Sequence, residues 1–296
     1  MKSHINSSNS ESLAKQTKKL LQKNGIRLNK KLGQNYLIDD FKRKKIINFA
    51  ELSKKDIVLE IGPGIGTLTT ELAKRAKMVI AIEQDEKIYN ILKQRLLDES
   101  IDNVELINKD GLKTDLPKFK CNKIVSNLPY QISSPITFKF LEFDFDLGIL
   151  MYQKEFAERM IAKVGDKNYS RLSAMLYFKA DIEFLDNVSP ESFIPQPKVD
   201  SSIVKLTPKK IPKNFSTNDN IEIYSKTCKA IFPHKNKKVR NALIDSRHIL
   251  GYSDKKELRN LIDSNSSLDP LLGNRVINTS PEEILDLAIL LKSIIK

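Results

Sequence analysis

Short apolar runs alternate with amphipathic stretches along most of this 296-residue chain. Residues 56–61 (Asp-Ile-Val-Leu-Glu-Ile) and 78–83 (Met-Val-Ile-Ala-Ile-Glu) are nearly continuous apolar runs, the pattern of strands buried on both faces. Between them a glycine loop leads into a helical pattern carrying Leu68, Leu72 and Ala73. A helix is predicted over 85–97, with Ile88, Ile91, Leu92, Arg95 and Leu96 on one side. Further strands are predicted at 104–108, 123–126 and 147–152, with a helix over 135–141. This rhythm predicts an open parallel α/β sheet. After a helix over 154–163 and the apolar stretch 172–178, strand-like runs at 181–185 and 202–206 make a pair that closes one sheet edge. Pro208, Pro212 and polar residues 214–220 read as a linker. Helical patterns at 221–231, 238–244, 254–262 and 281–295 then predict a small all-helical second domain. The expected organisation is a basic, partly disordered extension over 1–30, an α/β domain over 31–210 and a helical domain over 211–296. Within the extension, 13–23 is expected to be a short basic amphipathic helix.

Charge sharpens this picture. Fifty Lys and Arg oppose thirty-seven Asp and Glu, a formal +13. Residues 1–50 contribute +9 and residues 226–247 contribute +6, so the rest of the chain is slightly acidic. Two basic blocks around a near-neutral body suit a protein that holds a phosphate backbone at two places. Only two cysteines, Cys121 and Cys228, and three histidines are present. That excludes a disulfide framework and a zinc cluster, and no metal site is expected. No run approaches the ~20 apolar residues of a membrane span, and the polar start is unlike a signal peptide. A soluble, cytoplasmic protein is expected, with no membrane partner, and its basic surface suits a monomer.

The loop Glu60-Ile-Gly62-Pro-Gly64-Ile-Gly66-Thr67 stands where a first strand hands over to a helix. Glycines there permit positive φ and close approach of a ligand to the backbone. The spacing is G-x-G-x-G rather than the G-x-G-x-x-G of dinucleotide folds, and Glu60 would repel a pyrophosphate. A cationic ligand fits better, and S-adenosyl-L-methionine carries an amino group and a sulfonium. Glu83 closes the second strand nineteen residues after Gly64, where a carboxylate can accept bonds from ribose hydroxyls. Asp110 follows the third strand, placed for an adenine amino group. Together they predict a Rossmann-like S-adenosylmethionine methyltransferase sheet.

Asn127-Leu128-Pro129-Tyr130 follows the fourth strand, at the carboxyl end of the sheet. An aromatic amine is a poor nucleophile because its lone pair is delocalised. The Asn127 side-chain oxygen and the Leu128 carbonyl can each accept one N–H, drawing the nitrogen toward tetrahedral geometry, while Pro129 fixes φ and holds the acceptors in place. Tyr130 offers a ring on which an extruded base can stack, worth about 1–3 kcal/mol. By itself the tetrapeptide indicates a planar amine or amide; DNA adenine and protein glutamine amides are also methylated by enzymes that carry it. The basic blocks point to nucleic acid.

From about Lys30 to its end the chain resembles the KsgA/Dim-type ribosomal RNA small-subunit adenine N6-dimethyltransferases. Besides the features above, the resemblance rests on Lys31-Leu-Gly-Gln-Asn-Tyr-Leu37, Gln153-Lys-Glu-Phe-Ala-Glu-Arg-Met160, Tyr169-Ser-Arg-Leu-Ser173 and the segment from Phe193-Ile-Pro-Gln-Pro to Ile203. Phe232-Pro-His-Lys-Asn-Lys-Lys-Val-Arg-Asn-Ala-Leu243 is similar to the basic helix entry of that family's second domain. The resemblance implies that Gln34, Asn35 and Leu37 lie against the cofactor with Glu60, Gly62, Gly64, Gly66, Glu83, Asp110 and Asn127. It implies that Lys235, Asn236, Lys237, Lys238 and Arg240 meet RNA phosphates. It implies as substrate two adjacent adenosines in the 3′-terminal hairpin loop of small-subunit rRNA, each receiving two methyls, and as partner the assembling small ribosomal subunit. Tyr36 and Tyr130 stand where phenylalanine is also common. Two alternatives stay open at this point: a large-subunit rRNA adenine N6-methyltransferase of the antibiotic-resistance type, and a non-catalytic RNA-binding assembly factor.

Overall fold

The computed structural model describes residues 11–26 and 35–295. They form two compact units, the first running up to Lys154 and adding Phe184–Leu206. It opens with α1 (Leu13–Lys23), which buries Leu13, Thr17 and Leu21 four residues apart and leaves Lys15, Lys18 and Lys19 exposed. Next come β1 (Tyr36–Leu37) and α2 (Asp40–Phe49), the helix started by the Asp39 carboxylate accepting from Lys42 N at 3.0 Å. The sheet then grows through β2 (Ile57–Ile61), α3 (Thr69–Arg75), β3 (Met78–Glu83), α4 (Glu86–Asp98), β4 (Val104–Asn108), β5 (Lys123–Asn127), α5 (Ser133–Phe140) and β6 (Leu147–Gln153). Asp85 caps α4 by accepting from Lys87 N and Ile88 N. Helices α6 (Lys154–Ile161) and α7 (Arg171–Tyr177) lead to β7 (Ala180–Val188), and β8 (Phe193–Ile194) and β9 (Ser201–Pro208) follow.

Seven strands lie in the order β4-β3-β2-β5-β6-β9-β7. The first five are mutually parallel, whereas β9 runs antiparallel to β6, with Met151 opposite Ile203 and Gln153 opposite Ser201. The pair expected to close an edge does lie there. The short strands β1 and β8 make a separate antiparallel pair, Tyr36 with Ile194 and Leu37 with Phe193, which the sequence reading lacked. Strand order reverses between β2 and β5, and a ligand crevice is expected outside the carboxyl ends there. The β2–β5 register covers Val58 with Lys123 and Leu59 with Ile124. Nearer the carboxyl ends the Ser126 hydroxyl accepts from Ile61 N at 2.9 Å, so a side chain takes over from the ladder as the strands part. Beneath lies a core in which Val58, Leu72, Val79, Ala81, Phe193 and Ile203 are fully buried; each large member contributes about 1.5–3 kcal/mol by leaving water.

The second unit comprises Glu155–Glu183 and the chain from Thr207 onward. Its helices are α6, α7, α8 (Asn218–Ile231), α9 (Val239–Asp245), α10 (Lys255–Asp263), α11 (Asp269–Leu272) and α12 (Pro281–Ile294). This division differs from a single boundary at 210, because residues 155–183 pack with the helices. Tyr169 Oη donates to Thr279 O at 3.0 Å and Tyr224 Oη to Ala174 O at 2.9 Å. Phe178 stacks on Phe215 with centroids 4.6 Å apart. A capping box, Ser280 with Glu283, starts α12. Among the described residues no helix is long and apolar enough to cross a membrane.

Candidate active site

The crevice at the switch point is lined by the glycine turn after β2, the end of β3, the turn after β4 and the tetrapeptide after β5, with Asn35, Tyr36 and Leu37 of the β1 segment completing the wall. In the first loop Gly64 has φ +57°, and a Cβ there would lie 2.8 Å from Cε1 of Tyr36 on the opposite wall. Only glycine lets backbone and ring approach so closely. Behind the wall, Tyr36, Ile65 and Ile88 pack with Leu21 of α1, so the first helix braces the crevice. Glu83 ends β3 with its carboxylate held at both oxygens: Oε2 accepts from Gly64 N at 3.1 Å and Oε1 from Asp85 N at 2.9 Å. Burial pushes its carboxyl up, against the pull of those N–H groups.

Glu60 is 2% exposed, and its Oε2 has no hydrogen-bond partner among the described residues. Burial raises its carboxyl to about 8, with the Glu83 charge pushing the same way and the Thr69 hydroxyl opposing. This favours the protonated form of Glu60 at neutral pH, whereas the sequence treats it as a charged loop acid; it stands in β2, opposite Ala81 of β3. A positive group beside it would draw the proton off and pair with the carboxylate. Asp110 lines the same crevice, one oxygen capping the following turn through Leu112 N at 2.9 Å. The orphaned buried oxygen, the glycine cradle and the acids Glu60, Glu83, Asp85 and Asp110 fit a cationic nucleoside better than a polyanion.

Asn127 ends β5, and its Nδ2 donates to the Asn35 carbonyl at 3.0 Å. A carbonyl can only accept, so this bond fixes which way the amide faces and leaves Oδ1 as an acceptor. Leu128 is buried, while Asn127, Pro129 and Tyr130 are half-buried and all four line the crevice. Pro129 precedes a single 3₁₀ turn, Tyr130–Ile132. The Tyr130 hydroxyl lies 2.6 Å from Ser201 Oγ on β9. The site thus pairs an oriented amide and a tethered ring with an acid-lined cradle.

The profile of the ribosomal RNA adenine dimethylase family matches residues 25–266. The chain belongs to this family. It is 48% identical over 276 residues to a probable ribosomal RNA small subunit methyltransferase A of Methanosphaera stadtmanae, covering 93% of this chain and 98% of that protein. Its counterpart in Pyrococcus abyssi is 47% identical over 265 residues, 90% of this chain and 92% of that one. Among solved structures, a dimethyladenosine transferase from Plasmodium falciparum superposes with a TM-score of 0.73 at 34% identity, covering 87% of this chain and 97% of that one. The 23S rRNA methyltransferase ErmE gives 0.63 at 30% identity, over 87% of this chain and 100% of that one. The α/β unit is accordingly an S-adenosylmethionine-dependent methyltransferase sheet, and the chain is an rRNA adenine dimethyltransferase.

Of the residues expected at this dimethylase's cofactor, Asn35, Leu37, Glu60, Gly62, Gly64, Glu83, Asp110 and Asn127 line the crevice. Gln34 lies outside the described residues. Gly66 is not on the wall: a Cβ there would lie 2.5 Å from Leu92 Cδ1, so its work is to let the loop sit on α4. Sequence reasoning passed over Tyr36, Asp85 and Lys109 on the wall, and Ser201 behind Tyr130. Asp85, an acid two residues past Glu83, was the one with a readable signal. The basic segment sits in the helical unit with part of its charge already engaged. Lys237 pairs with Asp245 at 2.8 Å, and Arg240 grips Asp263 through Nε at 2.7 Å and Nη2 at 2.5 Å. Lys235 Nζ donates to Lys167 O, and the Asn236 carbonyl accepts from Arg275. Lys238 is exposed, with no ion pair among the described residues. Among the described residues no group of three or more metal-ligating side chains converges.

Proposed function

We propose that this enzyme transfers two methyl groups to the N6 amine of each of two adjacent adenosines in the 3′-terminal hairpin loop of small-subunit rRNA. It acts as a monomer on the assembling small subunit in the cytoplasm. The acids and glycines of the crevice hold the donor: Glu60 takes the amino group, Glu83 the ribose hydroxyls and Asp110 the adenine edge. S-adenosylmethionine, when bound, supplies a methyl on a positively charged sulfur. Asn127 Oδ1 and the Leu128 carbonyl accept the amine's N–H groups and concentrate its lone pair on nitrogen. The amine's surplus proton passes to water once the new N–C bond has made it acidic, so no strong base is needed. Tyr130 supports the extruded base from one face. The basic segment from Lys235 to Arg240 holds RNA phosphates.

The observation that carries this reading is the Asn127 amide, turned by the Asn35 carbonyl so that its oxygen is left to accept. A large-subunit target is weighed down by the naming of the relatives that match across nine-tenths of the chain. The test is incubation of a small-subunit precursor particle with isotopically labelled donor, followed by mass spectrometry of nuclease fragments. Dimethyladenosine at two neighbouring positions of the 3′ hairpin is expected. Label in large-subunit RNA alone, or binding with no label transfer, would reject the proposal.

A further inference from the structure

Tyr130 begins a single 3₁₀ turn with no side-chain cap, directly after a proline that has no N–H to give. Such a segment holds a ring loosely unless something tethers it. The tether is Ser201, fully buried, its hydroxyl 2.6 Å from the Tyr130 hydroxyl. Ser201 is itself held in the sheet: it stands opposite Gln153 in the β6–β9 ladder, and the adjoining Asp200 carbonyl accepts from Lys154 N at 2.9 Å. On its other side β6 pairs with β5, setting Met151 opposite Asn127. The amide acceptor and the ring anchor are thus fixed through one central strand. Tyr130 is half-buried and burial raises its phenol, with the Ser201 bond opposing, so it stays a neutral hydroxyl at working pH.

We infer that Ser201 is a positioning residue that sets the tilt of the Tyr130 ring and thereby governs the second methyl transfer more than the first. The inference rests on the proposal that Tyr130 stacks on the target adenine. Each transfer breaks the S–CH₃ bond, its electron pair staying on sulfur, and forms an N–C bond with the N6 lone pair, one N6 proton leaving for water. An unmodified amine offers two N–H groups to the two oxygen acceptors. A monomethylated amine offers one, so half of that hydrogen-bond positioning is gone and the stacking platform must supply the remainder. A ring freed from Ser201 therefore penalises the second step selectively.

The test compares wild type, Ser201→Ala, Tyr130→Phe, their double variant and Ser201→Thr in single-turnover methylation of the RNA substrate, resolving mono- from dimethyladenosine by mass spectrometry. Donor affinity is measured in parallel by calorimetry. Ser201→Ala and Tyr130→Phe are each expected to slow the second transfer about tenfold relative to the first, equivalent to about 1.4 kcal/mol. The double variant should be no worse than either single, Ser201→Thr should restore the wild-type ratio, and Ser201→Ala should bind donor as wild type does. An unchanged mono-to-di ratio in both single variants, or additive losses in the double, would overturn the role of Ser201. Tyr130→Phe removes the same bond from the other partner, so a folding defect in Ser201→Ala does not leave the question open. A wild-type enzyme that forms no methyladenosine at all would instead bring down the stacking proposal, and this inference with it.

Discussion

At the scale of single residues, two side chains that line the crevice, Asn127 and Glu60, make separate predictions. Asn127 is turned by Asn35, and in the proposed mechanism its oxygen accepts from the target amine, so Asn127→Ala should lower kcat by about 10²-fold or more, taking the loss of an oxyanion-hole donor as a guide. Donor affinity measured by calorimetry should change far less; an equal loss in both would contradict the role. Glu60 makes a pH prediction. Its carboxyl titrates at about 8 in the folded protein against an ordinary 4.5. A raised folded value means stability that is full below about pH 4.5 and falls as pH rises toward 8, at about 1.4 kcal/mol per unit. Thermal melts of the ligand-free enzyme should show that fall, Glu60→Gln should flatten it, and added donor should offset it in wild type only. A melting temperature equally pH-dependent in both proteins would refute the assignment. Glu60 was legible in the sequence as a loop acid, but its protonation was not. That depends on burial and on Glu83, which only the folded strands bring near.

At the scale of elements, the glycine loop separates ligand work from packing work. Gly64 faces the Tyr36 ring across the crevice, and Gly66 faces Leu92 of α4. Both have positive φ, so alanine strains the backbone at either. Gly66→Ala also overpacks a well-filled contact and should cost about 1–3 kcal/mol in urea unfolding. Its donor Kd, measured with saturating fractions of folded protein, should stay near wild type. Gly64→Ala should weaken donor binding outright because the Cβ fills the cradle; the reverse ranking would mean the two walls are misassigned. The sequence did not distinguish these glycines because their spacing is identical. It read the sheet strands well, since strands buried on both faces leave unbroken apolar runs such as 78–83. It missed α2, whose stretch Asp40–Phe49 carries four consecutive cations and buries only Ile46 and Ile47. It missed β1 and β8 because two residues are too few to show a period. The sequence places residues 155–183 in the α/β domain because strand-like runs at 181–185 and 202–206 follow them and the linker signals come only at 208–220, while Tyr169 and Tyr224 announce burial without naming the carbonyl each will reach.

At the scale of the whole molecule, a charge surplus of +13 favours a polyanionic partner, and salt dependence tests which cations take part. The sequence located the basic segment of the second unit but not the acids that accompany it. Asp245 is held down to about 2 by Lys237 and Lys255, and Asp263 accepts at both oxygens from the Nε–Nη2 edge of the Arg240 guanidinium. These acids lie 8 and 23 residues downstream of their partners, beyond any local pattern. A cation already paired with a carboxylate must give up that partner before it can neutralise a phosphate, and it releases little condensed counterion when it does. Lys238 is exposed without such a partner among the described residues, so it should contribute a full phosphate contact. Lys238→Ala is therefore expected to reduce the slope of log K against log salt by about 0.7–0.9 for the rRNA fragment, with the loss shared equally by RNAs of unrelated sequence. Arg240→Ala should change the slope less, since Asp263 already holds the guanidinium. Titrations between low and moderate salt distinguish the two outcomes. A slope change as large for Arg240→Ala as for Lys238→Ala would mean that RNA displaces the carboxylate, and that the ion pairs of this segment are spent on binding rather than on the helical unit itself.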